Sequence, residues 1–251
     1  LPAMVECRMK TNIDDLLVDQ SLSSDQRQRL LLAEQHANHA LLAQDAIVDL
    51  ANWPSQDPRK QAVEAVLQQV SRELEDATAE QPSSARPTLT IVTGAPGSGK
   101  SGLARTLLER QPESMWICGD MIKQRFKPLA AEHPALAGLE DWQNDAYIHR
   151  LTSALSWAAL SQAQAQHRDI VLEMLGSDPR ADVDLFATMA QQGYAVALHH
   201  VATSSARAIE GAIKRYFGDG PEAGRHVSLT RIGAQHRAIL ESFVETERLL
   251  K

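Results

Sequence analysis

Apolar positions follow two different rhythms along the 251 residues of this chain. Up to about residue 80 the spacing is helical. Asn12 precedes a short apolar helix over residues 13–18, and Ser23 with Gln26 fits a capping box ahead of an Ala/Leu/Gln-rich helix reaching about Asn52. Pro54 stops that helix, and Asp57-Pro58 supplies an N-cap and first turn for the next. In this next helix Val63, Val66, Leu67, Val70 and Leu74 make one apolar stripe. Three helices without a strand predict a small bundle that must bury its stripes against something else.

Gln81-Pro82-Ser83-Ser84-Ala85-Arg86-Pro87 has linker composition and divides the chain into 1–85 and 86–251. Beyond it, short apolar runs alternate with helical stretches. Strands are predicted at 88–93, 115–119, 169–173 and 194–202, with helices from Lys100 and over about 142–166, 181–192 and 204–217. That alternation predicts an α/β fold: a parallel sheet with helices on both faces, preceded by a small all-helical N-terminal module. A last helix runs from about Leu229 to Lys251 with no strand after it. Either the sheet is short on one edge or the natural chain continues.

The first junction of strand and helix carries chemistry. Gly94-Ala95-Pro96-Gly97-Ser98-Gly99-Lys100-Ser101 matches G-x-x-x-x-G-K-[ST] between an apolar strand and a helix. Glycines let successive N–H groups curl around a phosphate, and the helix N-terminus adds its positive end. Lys100 is expected on β/γ-phosphate oxygens and the Ser101 hydroxyl on Mg²⁺, with ATP or GTP as the nucleotide. The fold expected is thus P-loop kinase-like.

In a parallel sheet, ligands bind beyond the carboxyl ends of the strands. Asp120 follows the second strand and is placed either to take a proton from an acceptor hydroxyl or to cap a helix over 121–125. Glu173 ends the third strand, where it can orient Mg²⁺-bound water, meet a substrate, or face solvent. Lys214, Arg215 and Arg225 flank a glycine-rich loop and suit a mobile lid with cations for the transferring phosphate. Cations at a helix C-terminus also favour its dipole, a reading stronger for Lys214 than for Arg225. His36 and His39 lack acidic or cysteine partners for a metal, and the adjacent His199 and His200 must face opposite sides of a strand.

Composition narrows the partners. A hydrophobic share of 43% supports a packed core, and aromatics at 4% leave that core to Leu, Val, Ile and Ala. A net charge of −7 without a long Lys/Arg run argues against nucleic acid, while a locally basic cleft for an anionic small molecule stays open. The two cysteines, Cys7 and Cys118, read as reduced thiols. With no signal peptide and no apolar run long enough to span a bilayer, a cytoplasmic location and no membrane partner are expected.

Taken in order, Gly94 to Ser101, then Gly119-Asp120-Met121-Ile122-Lys123-Gln124, Ile170-Val171-Leu172-Glu173, Gly193-Tyr194, Ile213-Lys214-Arg215-Tyr216 and Gly224-Arg225-His226-Val227 resemble the zeta toxin family of bacterial kinases. The likeness covers about residues 88–237. It implies ATP- or GTP-dependent phosphorylation of a hydroxyl on a UDP-N-acetyl amino sugar, which blocks cell-wall synthesis. It also implies Asp120 as catalytic base, Arg215 and Arg225 as γ-phosphate clamps, and Lys123, Arg150 and Glu173 on the substrate. Two positions depart from the family pattern: Ser153 stands where an acid follows Arg150 by three, and Leu175 where Glu-Gly-Thr has its threonine. Either change favours another acceptor or a shifted pose.

Zeta toxins are held inactive by a small helical antitoxin, usually a separate chain. By resemblance, residues 1–85 are an antitoxin-like module acting in cis, with Asp14 and Asp15 near Lys100; the alternative is a stabilising cap. Two other readings keep the P-loop: an antibiotic or metabolite kinase, and a nucleotide-gated binding switch without an acceptor.

Overall fold

The run Thr88–Thr93 alternates threonine with Leu89, Ile91 and Val92 and is buried on all but its first residue, as a strand covered on both faces requires; it forms the first strand, β1. The computed structural model describes residues 13, 17, 20–47, 54–79, 83–137, 145–218 and 226–251. Three further strands complete a parallel sheet in the order β2-β3-β1-β4: β3 (Ile170–Glu173) and β4 (Ala195–His200) flank β1, and β2 (Met115–Cys118) pairs with β3. The register sets Leu89 beside Ile170 and Val196, and Met115 beside Ile170. The third strand was expected from Asp169. Instead the Asp169 carboxylate accepts hydrogen bonds from Thr88 N (2.6 Å) and Thr88 Oγ (2.8 Å), which pins β3 against the start of β1.

The helices are α1 (Ser24–Ile47), α2 (Pro58–Ala79), α3 (Lys100–Arg110), α4 (Gly119–Glu132), α5 (Asp145–Ala165), α6 (Pro179–Gln191), α7 (Ser205–Phe217) and α8 (Leu229–Leu249). Both faces of the sheet are covered. Ala159, Leu160 and Ala163 of α5, with Phe186 and Met189 of α6, pack on Leu89, Ile91, Ile117, Ile170 and Leu172. Opposite them, α3 packs Ala104, Leu103 and Leu107 on Val92 and Val171. Among the described residues no helix is long and apolar enough to cross a membrane.

Local signals in the N-terminal part have their expected partners. Gln26 N donates to Ser23 Oγ (3.2 Å) and Ser23 N to Gln26 Oε1 (3.0 Å), the reciprocal capping box of α1. The Asp57 carboxylate accepts from Arg59 N at 2.8 Å and starts α2. The α2 stripe has a specific counterpart: Val63, Val66 and Val70 are fully or nearly buried against Ile122, Phe126, Ala130, Ile148 and Leu151 of α4 and α5. Its burial therefore belongs to the same core that supports the second half of the chain.

The helix α1 docks elsewhere, and by charge as well as by apolar contact. Leu17 and Leu30 join Ala208, Ile209, Ile213, Leu229 and Ile232 in one cluster. One turn beyond Leu30, Glu34 is 3% exposed. Its carboxylate accepts from Leu229 N (2.8 Å), Thr230 N (3.2 Å) and Ser228 Oγ (2.7 Å), from the Thr230 hydroxyl, and lies 2.9 Å from His226 Nε2. A residue nearly 200 positions upstream thus satisfies the open N–H groups at the start of α8. Burial pushes the Glu34 carboxyl up, but the hydrogen bonds from His226, Thr230, Ser228 and Leu229 outweigh it and hold the pKa at about 2.

Two consequences are measurable by urea unfolding. Phe126, with no exposed surface, touches α2 across the shared core; Phe126→Ala should cost about 3–5 kcal/mol. Glu34→Gln should cost about 2 kcal/mol at neutral pH. Because the folded pKa lies below the ordinary 4.5, this difference should be full above pH 4.5 and vanish as the pH falls through about 2.

Candidate functional site

Three of the four strands end at one cleft of 670 Å³, whose floor is the phosphate loop. The loop's shape depends on glycine at two places in particular. Gly99 holds φ +97, a left-handed conformation costly for other residues, and a Cβ there would meet open space rather than protein. Gly97 (φ +78) lies so close to α7 that a Cβ would sit 2.0 Å from the Ala208 carbonyl oxygen. The approach is mutual: a Cβ on Gly211 would lie 2.6 Å from the Gly97 oxygen. The sequence reading had assigned Gly211 no role; its signal was a glycine in a helix interior, where packing against backbone is a usual reason.

Four residues beyond Gly211, one helical turn, Arg215 reaches the cleft lining. Lys214, its neighbour, instead pairs with Glu210 at 2.6 Å with its side chain 74% exposed, so it belongs to the surface of α7. Arg225, Asp14 and Asp15 lie outside the described residues, as do Cys7 and the side chains of Arg150, His36 and His39.

The Lys100 ammonium donates to the Ala95 carbonyl at 2.9 Å. Burial lowers its pKa, and the carboxylates of Glu173 and Asp120 act against that drop. The Ser101 hydroxyl donates to Glu173 Oε1 at 2.9 Å, bringing the end of β3 to the first turn of α3. Among the described residues, no cluster of three or more His, Cys, Asp or Glu forms a metal cage. The donor set is instead one hydroxyl and one carboxylate, which suits Mg²⁺ held jointly with phosphate oxygens.

Among the described residues, Ser98 Oγ in the loop and Glu173 Oε2 beside Ser101 are buried without a hydrogen bond. Such atoms cost about 1–3 kcal/mol each unless satisfied. A phosphate donating no proton but accepting from Ser98, and a cation meeting Glu173, would satisfy both, so these residues fit a magnesium-nucleotide.

Asp120 stands in the first turn of α4 and not at its cap, since the helix begins at Gly119 and Cys118 occupies the N-cap position. Lys123 Nζ lies 3.4 Å from Asp120 Oδ1, on the same face three residues along. Both line the cleft. Next to them the Cys118 thiol is buried, and desolvation with the nearby Glu173 and Asp120 charges pushes its pKa up to about 12. Ser153 and Leu175, the two positions that depart from the family pattern, also line the cleft. His199 and His200 lie in β4, where His200 Nδ1 is 3.0 Å from Thr93 Oγ and its ring stacks on Phe243. The sequence reading missed Glu34 and Asp182. Asp182 shares its buried helix face with Phe186 and Met189, the signal that could have found it; the polar-rich helix around Glu34 offers no such stripe.

Comparison with known proteins follows the same outline. A structure from the PezAT chromosomal toxin–antitoxin system of Streptococcus pneumoniae aligns with TM-score 0.55 at 16% identity, over 80% of this chain and 74% of that one. At that identity the likeness is one of fold. The AvrRxo1-ORF1:-ORF2 complex with ATP aligns at 16% identity with TM-score 0.47, over 78% of this chain and 62% of its own. No curated protein matches. The Zeta toxin family model matches residues 71–250, from within α2 through the end of α8. With that span covering most of the chain and the P-loop kinase-like sheet within it, the protein belongs to the Zeta toxin family.

Proposed function

We propose that this protein is a phosphotransferase that moves the γ-phosphate of ATP or GTP onto a hydroxyl of a UDP-N-acetyl amino sugar, and so blocks cell-wall synthesis. The observation that carries this reading is the convergence of Lys100, Ser101, Glu173, Asp120 and Arg215 on one cleft, with Ser101 and Glu173 hydrogen-bonded at 2.9 Å. The loop from Gly94 to Ser101 cradles the phosphates, and Lys100 leaves the Ala95 carbonyl for their oxygens. Ser101 and Glu173 would hold Mg²⁺, which would supply charge neutralisation for the nucleotide phosphates. Asp120 takes the proton of the acceptor hydroxyl as that oxygen attacks the γ-phosphorus. The bond to the β-phosphate oxygen breaks, and its electron pair leaves with the nucleoside diphosphate. Arg215 faces the charge of the transferring group from α7, and Lys123, 3.4 Å from Asp120 Oδ1, is placed to orient that carboxylate.

A second reading has one specific observation in its favour. Ser153 and Leu175 both line the cleft, and neither supplies the acid or hydroxyl that would pair sugar hydroxyls there. An antibiotic or metabolite kinase with the same phosphate machinery fits those positions as well.

The role proposed for residues 1–85 is restraint in cis. Glu34 ties α1 to the start of α8, directly beside His226, Val227 and Ser228 of the cleft wall. Leu17 and Leu30 pack on α7, the helix that carries Arg215, and the Arg29 guanidinium lies over the Phe217 ring at 5.2 Å. Tethering gives such contacts a high effective concentration.

The full chain incubated with Mg-ATP and UDP-N-acetylglucosamine should yield a phosphorylated sugar nucleotide by mass spectrometry. Asp120→Asn should lower the rate by about 10²-fold or more while leaving ATP affinity intact, and Lys100→Ala should abolish ATP binding. ATP turnover on other small molecules, with no phosphorylated sugar, would select the second reading. ATP binding and unaltered biological effect in Asp120→Asn would instead point to a nucleotide-gated switch. For the restraint, Glu34→Gln should raise the transfer rate even as it lowers the melting temperature; a rate that falls together with stability would leave α1 as a stabilising cap.

A further inference from the structure

Asp182 is the buried acid that the proposed chemistry does not use. It sits in the first turn of α6, is 4% exposed, and lines the cleft. Among the described residues its carboxylate makes no hydrogen bond and no ion pair. Capping does not account for it, because the Asp178 carboxylate already accepts from Arg180 N and Ala181 N at 3.1 Å each. Burial and the charge of Asp178 push its pKa up to about 6, so at neutral pH it is held mostly ionised against its surroundings. A carboxylate that lines the cleft without a donor from the protein is free to accept hydrogen bonds from a donor-bearing ligand there.

A second feature of the cleft stands on α5, which covers the same face of the sheet as α6. Trp157 lines the cleft yet is 51% exposed, on one helical face with Ser153 and Ser156. A half-exposed indole and a carboxylate lining one cleft suit a ring that is apolar on its face and rich in donors at its rim. The Asp178 and Asp182 charges disfavour phosphate groups near them, whereas the loop and Lys100 attract such groups.

We infer that Asp182 and Trp157 form the acceptor subsite: Asp182 accepts hydrogen bonds from hydroxyl or amino groups of a sugar-type ring, and Trp157 stacks on the ring's face. The inference rests on the phosphotransferase reading for its reaction, but not for its binding. It names which residues select the acceptor, in a cleft where Ser153 and Leu175 offer little.

The test is equilibrium binding to the full chain loaded with a non-hydrolysable ATP analogue, using UDP-N-acetylglucosamine and glucosamine as probes and calorimetry as the readout. The unsubstituted protein should bind at least one. Asp182→Asn should weaken that binding by 10-fold or more, Trp157→Ala by about 5-fold, and neither should change affinity for the nucleotide analogue more than 2-fold. Thermal melting separates a structural role: relief of the buried charge should leave the Asp182→Asn protein as stable as its parent or more so at neutral pH. Unchanged probe binding in both variants, failure of the parent to bind either probe, or a clear loss of stability in Asp182→Asn would overturn the subsite. Tight, Asp182-dependent binding without phosphorylation would preserve it and remove the proposed reaction.

Discussion

The backbone contact between the phosphate loop and α7 controls much of what surrounds it. Gly97 and Gly211 face each other with room for hydrogen alone, so the loop and helix approach as closely as two backbones can. That spacing fixes the axis of α7, and with it the direction in which Arg215 projects one turn later. A methyl group at either position would have to push helix and loop apart, and the surrounding core is too well packed to absorb the shift silently.

From α7 the constraint passes to the N-terminal helix. Leu30 packs with Ile209 and Ile213 on the far side of α7, and Glu34 completes the start of α8. The two ends of the segment joining α7 to α8 are therefore held partly by residues from a different region of the chain. A stretch that reads as an appendage by its position in the sequence is structurally a third support for the cleft wall. The same holds for α2, whose valines fill a core otherwise formed by α4 and α5. Any account of the catalytic half as a free-standing unit has to replace these contacts.

Features with local causes were readable from sequence. The Ser23–Gln26 box, the Asp57 cap and the strand–glycine loop–helix at 88–110 each depend on residues within a few positions of one another. So did the sheet, because four apolar runs between helices allow few arrangements. The site was partly readable: Lys100, Ser101, Asp120, Glu173 and Arg215 all reach one cleft because each follows a strand's carboxyl end or flanks a loop there. What sequence withheld are pairings across long separations. Nothing near Glu34 predicts that its donors sit at 226–230, and nothing near Gly97 predicts Gly211. Asp182 was passed over for a related reason. An acid in a helix's first turn looks like an ordinary response to the dipole until its burial and its lack of donors are seen.

Cys118 carries one more implication. Its thiol lies in the cleft beside Asp120, where a reactive cysteine would make the site an oxidant sensor. With its pKa pushed up to about 12, almost no thiolate exists at cellular pH, and thiolate is the species that peroxides, disulfides and alkylating agents attack. Burial does most of this, and the charges of Glu173 and Asp120 add to it. A peroxide entering this cleft would meet the thiol, the slow-reacting form of the sulfur.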